Sequence, residues 1–274
     1  MKRVVFFTDL DGTLLDYSTY SFTKAQPALD VLQQRELPLV ISSSKTRSEI
    51  EHYRIQLNNQ HPFISENGGG IFIPKGYFSS DMSHINYPVT EEQGYYVIRL
   101  GASYPELRKA LETLRNEGYE VQGFGDMGIE DLIKLADMKE NEAVMAKDRN
   151  FDEPFVFTGQ ADELPELMES IRIKGLNCTK GRFWHLLGNS DKGVAVSILI
   201  DLFNKDFGDI LTVALGDSPN DLPMLQRVDY PFVVKKHDGS YDAAIQLPNF
   251  VKADGVGPEG WNSAVLDLLR MIDS

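Results

Sequence analysis

Two kinds of hydrophobic pattern alternate in the first third of the chain. Apolar runs without periodicity stand at Val4 to Phe7, Leu37 to Ile41 and Pro62 to Ile64, and apolar residues at helical spacing fill the stretches between, from Lys24 to Glu36 and from Thr46 onward. A short unalternating apolar run suits a strand buried on both faces, and a helix between two such strands brings them parallel. The order is βαβαβ, which predicts a doubly wound parallel sheet. Thr46 and Glu49 have the spacing of a capping box for the second helix, with Ile50, Tyr53 and Leu57 on one face.

The last third repeats this grammar. A helix is expected from Lys192 to Asn204, a strand from Ile210 to Leu215, a short helix after Pro219 and a strand from Phe232 to Val234. Between about Ile85 and Leu187 strands and helices mix differently: strands at Tyr95–Leu100, Tyr119–Phe124 and Phe155–Phe157, helices at Ser103–Glu117, Ile129–Met138, Asn141–Lys147 and Leu164–Ile173, and a hairpin around Lys180-Gly181. The flanking halves read as one fold. The expected architecture is an α/β, Rossmann-like core from residues 1–84 and 189–274 with an inserted α+β cap at 85–188.

At 274 residues, with 15 Phe and 11 Tyr, the chain can bury a large core divided between two units. A formal net charge of −14 argues against nucleic acid or an anionic membrane as partner, because both would repel it at long range. The lone Cys178 cannot pair within the chain, and the four apolar residues before Thr8 are far too few for a signal or membrane segment. These features lead to the expectation of a soluble protein in the reducing cytoplasm.

The chemistry concentrates at predicted strand ends. Asp9-Leu10-Asp11-Gly12-Thr13 follows the first strand and Gly216-Asp217-Ser218-Pro219-Asn220-Asp221 follows the strand Ile210 to Leu215. In open α/β sheets ligands bind beyond the carboxyl ends of the strands, so the two blocks should meet. Carboxylates gathered in one cleft repel unless a cation lies among them, and an oxygen-only donor set favours Mg²⁺ over zinc. Ser42-Ser43-Ser44-Lys45 lies between a strand and a helix N-terminus, a place for phosphate oxygens and equally for a simple helix cap. Lys192 opens a helix, where a cation opposes the macrodipole and an anion contact would explain it.

In this order the blocks resemble the haloacid dehalogenase superfamily of phosphotransferases. The resemblance implies Asp9 as nucleophile, Asp11 as general acid and base, Ser43 and Lys192 as phosphate ligands, and a Mg²⁺ environment of Asp9, Asp217, Asp221 and the Asp11 backbone carbonyl. An aspartate at the position of Asp11 is what phosphatases and mutases of the superfamily have, so dehalogenation is not expected. The roles are physically sound, since a carboxylate ionised at neutral pH can attack phosphorus once cations offset the repulsion.

More local stretches resemble the mannosyl-3-phosphoglycerate phosphatase family: Ser43-Ser44-Lys45-Thr46, Glu66-Asn67-Gly68-Gly69-Gly70, Ala146-Lys147-Asp148-Arg149, Asp152-Glu153-Pro154-Phe155, Gly181-Arg182-Phe183-Trp184-His185 and Gly257-Pro258-Glu259-Gly260-Trp261. The implied substrate is a small-molecule sugar phosphate, a glycosyl-3-phosphoglycerate, and the implied product is mannosylglycerate, an osmolyte. Lys45, Arg149, Lys180, Arg182 and His185 are candidates for holding its anions, Asn67 and Gly68 for bringing backbone N–H groups to it, and Glu259 with Trp261 for a sugar-binding edge. Each has a plainer reading: a solvated cation, a buried histidine, a hairpin turn at Lys180-Gly181, a tight turn at the glycines, a turn before a helix at Glu259. The rival readings are a phosphatase of glucosyl-3-phosphoglycerate or sucrose phosphate, a phosphomannomutase and a non-catalytic sugar-phosphate sensor.

Overall fold

The computed structural model describes residues 2–246 and 248–274. Its strands are β1 (Arg3–Thr8), β2 (Leu39–Ser42), β3 (Phe63–Ser65), β4 (Gly70–Pro74), β5 (Val89–Glu92), β6 (Tyr95–Arg99), β7 (Val121–Gly123), β8 (Asp152–Phe157), β9 (Asn177–Lys180), β10 (Trp184–Leu187), β11 (Ile210–Gly216), β12 (Tyr230–Lys235) and β13 (Val251–Val256). The helices are α1 (Gln26–Gln34), α2 (Arg47–Gln56), α3 (Tyr104–Asn116), α4 (Ile129–Ala136), α5 (Glu140–Ala146), α6 (Leu164–Ile173), α7 (Lys192–Phe207), α8 (Leu222–Leu225) and α9 (Pro258–Asp273).

A nine-stranded sheet in the order β13-β12-β11-β1-β2-β3-β4-β6-β5 forms the core, with β1 parallel to both β11 and β2. Alternate residues of β1 feed opposite faces, as the strand period requires. Val4 and Phe6 pack with Leu29 and Leu32 of α1 and Trp261 and Leu268 of α9, whereas Val5 and Phe7 pack with Leu199, Leu202 and Phe203 of α7. The unalternating run is thus buried between two helical layers. β1 ends at Thr8, and Asp9 follows it at the sheet's C-terminal edge, beside the end of β11.

The sheet departs from the parallel expectation past β3. The β3–β4, β4–β6 and β6–β5 pairs are antiparallel, because the chain turns back through Glu66–Gly69 instead of crossing over in a helix. The strand expected at Tyr95–Leu100 inside the insert is β6, which belongs to the core sheet. Its Val97 and Ile98 are fully buried in the two core clusters. The insert therefore begins after Arg99, not at residue 85. β13 escaped the pattern because Lys252, Asp254 and Gly255 interrupt it.

The insert has its own antiparallel sheet, β7-β8-β10-β9, covered by α3 and α6 through Leu107, Leu111, Leu114, Leu167 and Ile171. The hairpin at Lys180-Gly181 is present, closed by the Gly181 N–H donating to the Phe183 carbonyl at 3.0 Å. The cap rests on the core through residues 145–152. The Thr46 hydroxyl donates to the Met145 carbonyl at 2.9 Å, and Glu66 accepts the amide N–H groups of Asn150, Phe151 and Asp152 at 2.8–3.0 Å. Glu66 and Asn67 both have φ near +50°, an uncommon conformation for residues with a Cβ. Among the described residues no helix is long and apolar enough to cross a membrane.

Gly68 has φ +94°, and a Cβ there would lie 2.2 Å from the backbone carbonyl of Asp191, just before α7. Gly68→Ala should therefore cost more than about 2 kcal/mol, combining a left-handed penalty with a backbone clash. Urea unfolding would read the loss. A midpoint like the wild type's would show that the α7 N-terminus is not seated on this turn.

Candidate active site

The turn after β1 explains each residue of Asp9-Leu10-Asp11-Gly12-Thr13. Asp9 is tied to the sheet by its own N–H, which donates to the Leu215 carbonyl of β11 at 3.0 Å. The Trp261 indole N–H donates to the hydroxyl of Thr8 at 2.9 Å and fixes the strand end from below. Gly12 has φ +79°, and a Cβ there would come within 2.9 Å of the Asp217 carboxylate. Thr13 donates its hydroxyl to the other Asp217 oxygen at 3.1 Å. The first block thus positions the second.

Asp221 is fully buried, and its Oδ2 accepts the N–H groups of Asp217 and Ser218 at 3.0 and 3.2 Å, which folds the acidic loop around it. Lys192 enters this pocket from the first turn of α7, whose N-cap Asp191 accepts the Val194 N–H at 2.8 Å. Its Nζ donates to Asp9 Oδ1 at 2.7 Å and to Asp221 Oδ1 at 2.6 Å, with the side chain wholly buried. Burial disfavours the Lys192 ammonium, but Asp221 and Asp9 more than compensate and hold it charged.

Oxygens of Asp9, Asp217 and Asp221 lie within 4.8 Å of one another. Three carboxylates against a single ammonium leave two negative charges uncompensated. Burial pushes Asp9 up to about 7 against the pull of Lys192, with Asp221 and Asp11 adding to the rise. Burial also raises Asp217 well above the usual range, reinforced by Asp221 and Asp9. A hard divalent cation fits this set by charge and by donor chemistry.

Above the cluster lies a cavity of about 390 Å³ between core and cap. Asp9, Asp11 and Asp217 line it from the sheet edge, Tyr17, Tyr20 and Lys45 from core loops, and Arg149, Lys180, Arg182 and His185 from the cap. Its cations differ in what they already hold. Lys45 pairs with Asp11 at 3.1 Å and Glu49 at 3.5 Å. Arg149, nearly fully buried, donates to the carbonyls of Ser44 and Ala146 at 2.9 Å and lies 3.9 and 3.8 Å from the carboxylates of Glu49 and Asp152. Lys180 and Arg182, on the β9–β10 hairpin, pair with no carboxylate among the described residues; Lys180 sits 4.6 Å over the Trp184 ring and Arg182 lies 5.7 Å from that of Phe183.

Other expected site residues lie elsewhere. Ser43 is buried and its hydroxyl accepts the Lys45 N–H at 3.2 Å; its neighbour Ser44 lines the cavity. Asn67 bridges Asp152 and Asn220 at 2.9 and 3.0 Å and Gly68 packs under α7, so neither lines the cavity. Glu259 faces solvent and pairs with Lys24 at 3.3 Å, while Trp261 is entirely in the core; the two make no sugar-binding edge. Tyr17, Tyr20, Met138 and His237 line the cavity without having been singled out. They sit in aperiodic stretches or on a cap helix edge, where sequence carries no signal of what a residue faces.

A sequence model of haloacid dehalogenase-like hydrolases matches residues 6–122 and 156–246. The chain belongs to this family. Within it, the chain is 46% identical over 271 residues to a glucosyl-3-phosphoglycerate/mannosyl-3-phosphoglycerate phosphatase of Methanococcoides burtonii, covering 98% of both chains. A protein of the same description from Persephonella marina is 40% identical over 273 residues, again with 98% of both chains covered. The solved structure of Thermoplasma acidophilum 0175 has the same fold at a TM-score of 0.68 and 17% identity, covering 100% of this chain and 99% of that one.

In this haloacid dehalogenase-like hydrolase the raised carboxyl of Asp9 sets the sign of a pH effect. Between its unfolded value near 3.8 and its folded value of about 7, the native state holds a proton that the unfolded state lacks, so this group's stabilisation is lost as pH rises. Calorimetry in EDTA should show melting temperature falling from pH 5 to 7.5 more steeply than in millimolar Mg²⁺. At pH 7.5 saturating Mg²⁺ should add about 2–4 kcal/mol, and Asp217→Asn should abolish most of that gain. Equal pH slopes with and without Mg²⁺ would place the cation elsewhere.

Proposed function

We propose that the chain is a Mg²⁺-dependent phosphatase that converts glycosyl-3-phosphoglycerates, mannosyl-3-phosphoglycerate among them, to the glycosylglycerate and phosphate. The observation that carries this reading is the composition of the cavity between core and cap, a cation-deficient carboxylate floor and, on the cap hairpin, two cations that pair with no carboxylate among the described residues. A glycosyl-3-phosphoglycerate carries a phosphate and a separate carboxylate, and needs both. The names of the similar proteins, which pair glucosyl with mannosyl, support acceptance of both epimers.

Asp9 is the nucleophile in this reading. Lys192 takes Asp9 Oδ1, which leaves Oδ2 to attack phosphorus. The Oδ2–P bond forms as the bond from phosphorus to the glycerate oxygen breaks, and Asp11 gives its proton to that leaving oxygen. Water then attacks the aspartyl phosphate, passes a proton to Asp11 and restores Asp9. Lys45, 3.1 Å from Asp11, orients that carboxyl at the cavity wall. Asp9, Asp217 and Asp221 would hold Mg²⁺, which neutralises the charge of the phosphoryl group. Lys180 and Arg182 bind the glycerate carboxylate; Arg149 is committed to seating the cap on the core.

Asp9→Asn should remove turnover almost entirely while the melting temperature stays within a few degrees, since the amide keeps the shape and loses the nucleophile. A folded variant that still released phosphate would end the covalent mechanism. Arg182→Ala should cost about 2–4 kcal/mol in kcat/KM for mannosyl-3-phosphoglycerate relative to 4-nitrophenyl phosphate, the range for stranding a desolvated charge. Arg149→Ala should instead depress both substrates together and lower the melting temperature. Interchanged behaviour of the two arginines would move the carboxylate site to Arg149.

A further inference from the structure

His185 was expected to be a satisfied buried histidine, and only half of it is. The residue is 6% exposed, and its Nδ1 faces both oxygens of the fully buried Asp152 at 2.8 and 3.0 Å. Nε2 has no hydrogen-bond partner among the described residues. It faces Gly181, which lines the cavity as His185 does; a methyl group placed on Gly181 would sit 3.8 Å from Nε2. A polar atom on a nearly buried side chain that opens onto a ligand cavity is available to a hydrogen-bonding group of the ligand in exchange for water.

Asp152 is held as firmly as it holds. It also accepts the Asn67 side-chain N–H at 2.9 Å, and Asn67 accepts from Asn220, within the acidic loop, at 3.0 Å. The ring orientation of His185 is thereby referenced to the loop that carries Asp217 and Asp221. Asp152 behind the ring is offset by Arg149 at 3.8 Å, so the wall at Nε2 offers the imidazole nitrogen itself. A hydroxyl suits it, because a hydroxyl can donate to or accept from Nε2.

We infer that His185 is a specificity residue that hydrogen-bonds a hydroxyl of the substrate's glycosyl group through Nε2, with Asp152 as the positioning residue that fixes the ring. The inference rests on the reading of the substrate as a glycosyl-3-phosphoglycerate. A single hydroxyl partner able to act either way also accommodates a substrate family that differs in hydroxyl orientation.

The test compares kcat/KM for mannosyl-3-phosphoglycerate with that for 3-phosphoglycerate, which shares the phosphate and carboxylate and lacks the sugar. For wild type the ratio should favour the glycosyl substrate, and in His185→Ala and His185→Phe it should fall about tenfold or more. Asp152→Asn should lower the same ratio. Histidine ¹⁵N NMR of the wild-type protein gives a readout that needs no variant: the His185 Nε2 signal should move on titration with mannosylglycerate and stay in place with glycerate. An unchanged ratio in the variants, or an Nε2 signal that answers glycerate as it answers mannosylglycerate, would overturn the role of His185. A wild-type enzyme with no preference for the glycosyl substrate would instead remove the substrate reading on which the role depends.

Discussion

Everything at this site depends on a deliberate shortage of positive charge. Lys192 is wholly buried and bonds Asp9 and Asp221 at 2.7 and 2.6 Å, so that one positive charge answers three carboxylates. Were the second charge supplied by another lysine, the cluster would be an ordinary buried ion network, more stable and inert. Because it is missing, burial and mutual repulsion hold the carboxyls of Asp9 and Asp217 above their usual range. Much of the neighbouring sequence then has one task, to keep those carboxylates in place against their repulsion. Asp221 does it through two backbone N–H groups, Thr13 through its hydroxyl and Gly12 by leaving room.

The parts of the fold legible in sequence are those whose residues answer to one constraint. β1 is bare of polar residues from Val4 to Phe7 because helices cover both its faces, so the pattern and the burial say the same thing. The acidic blocks were legible for a similar reason, since carboxylates at strand ends have few purposes. Tyr95–Leu100 was placed in the wrong unit because its pattern reports burial and not the partner that buries it. β4 was missed because Gly68, Gly69 and Gly70 read as a loop, whereas Gly70 already pairs with Arg99 and the glycines are small to admit Asp191 and Phe151.

The same limit governs the site. Glu259 and Trp261 were grouped by their nearness in sequence, yet α9 points one to solvent and the other under β1. Cations of the cap looked alike as residue types and differ only in partners. Arg149 spends its donors on the carbonyls of Ser44 and Ala146, and it joins core to cap; Arg182 spends none on a carboxylate and faces the cavity. Such a distinction exists only after folding, because the contact that joins Arg149 to the core, with Ser44, spans 105 positions.

That division of labour sets how the cap can act. Residues 145–152 of the cap meet the core through side chain–backbone hydrogen bonds with Thr46, Ser44 and Glu66. The hairpin of β9 and β10 carries Lys180 and Arg182, which line the cavity and pair with no carboxylate among the described residues. Asp152 ties the two together, since it begins β8, pairs across the cap sheet with Leu187 and reaches the acidic loop through Asn67 and Asn220. In the proposed reaction the cation and the leaving group would bear on one chain of hydrogen bonds, from Asn220 through Asn67 and Asp152 to His185.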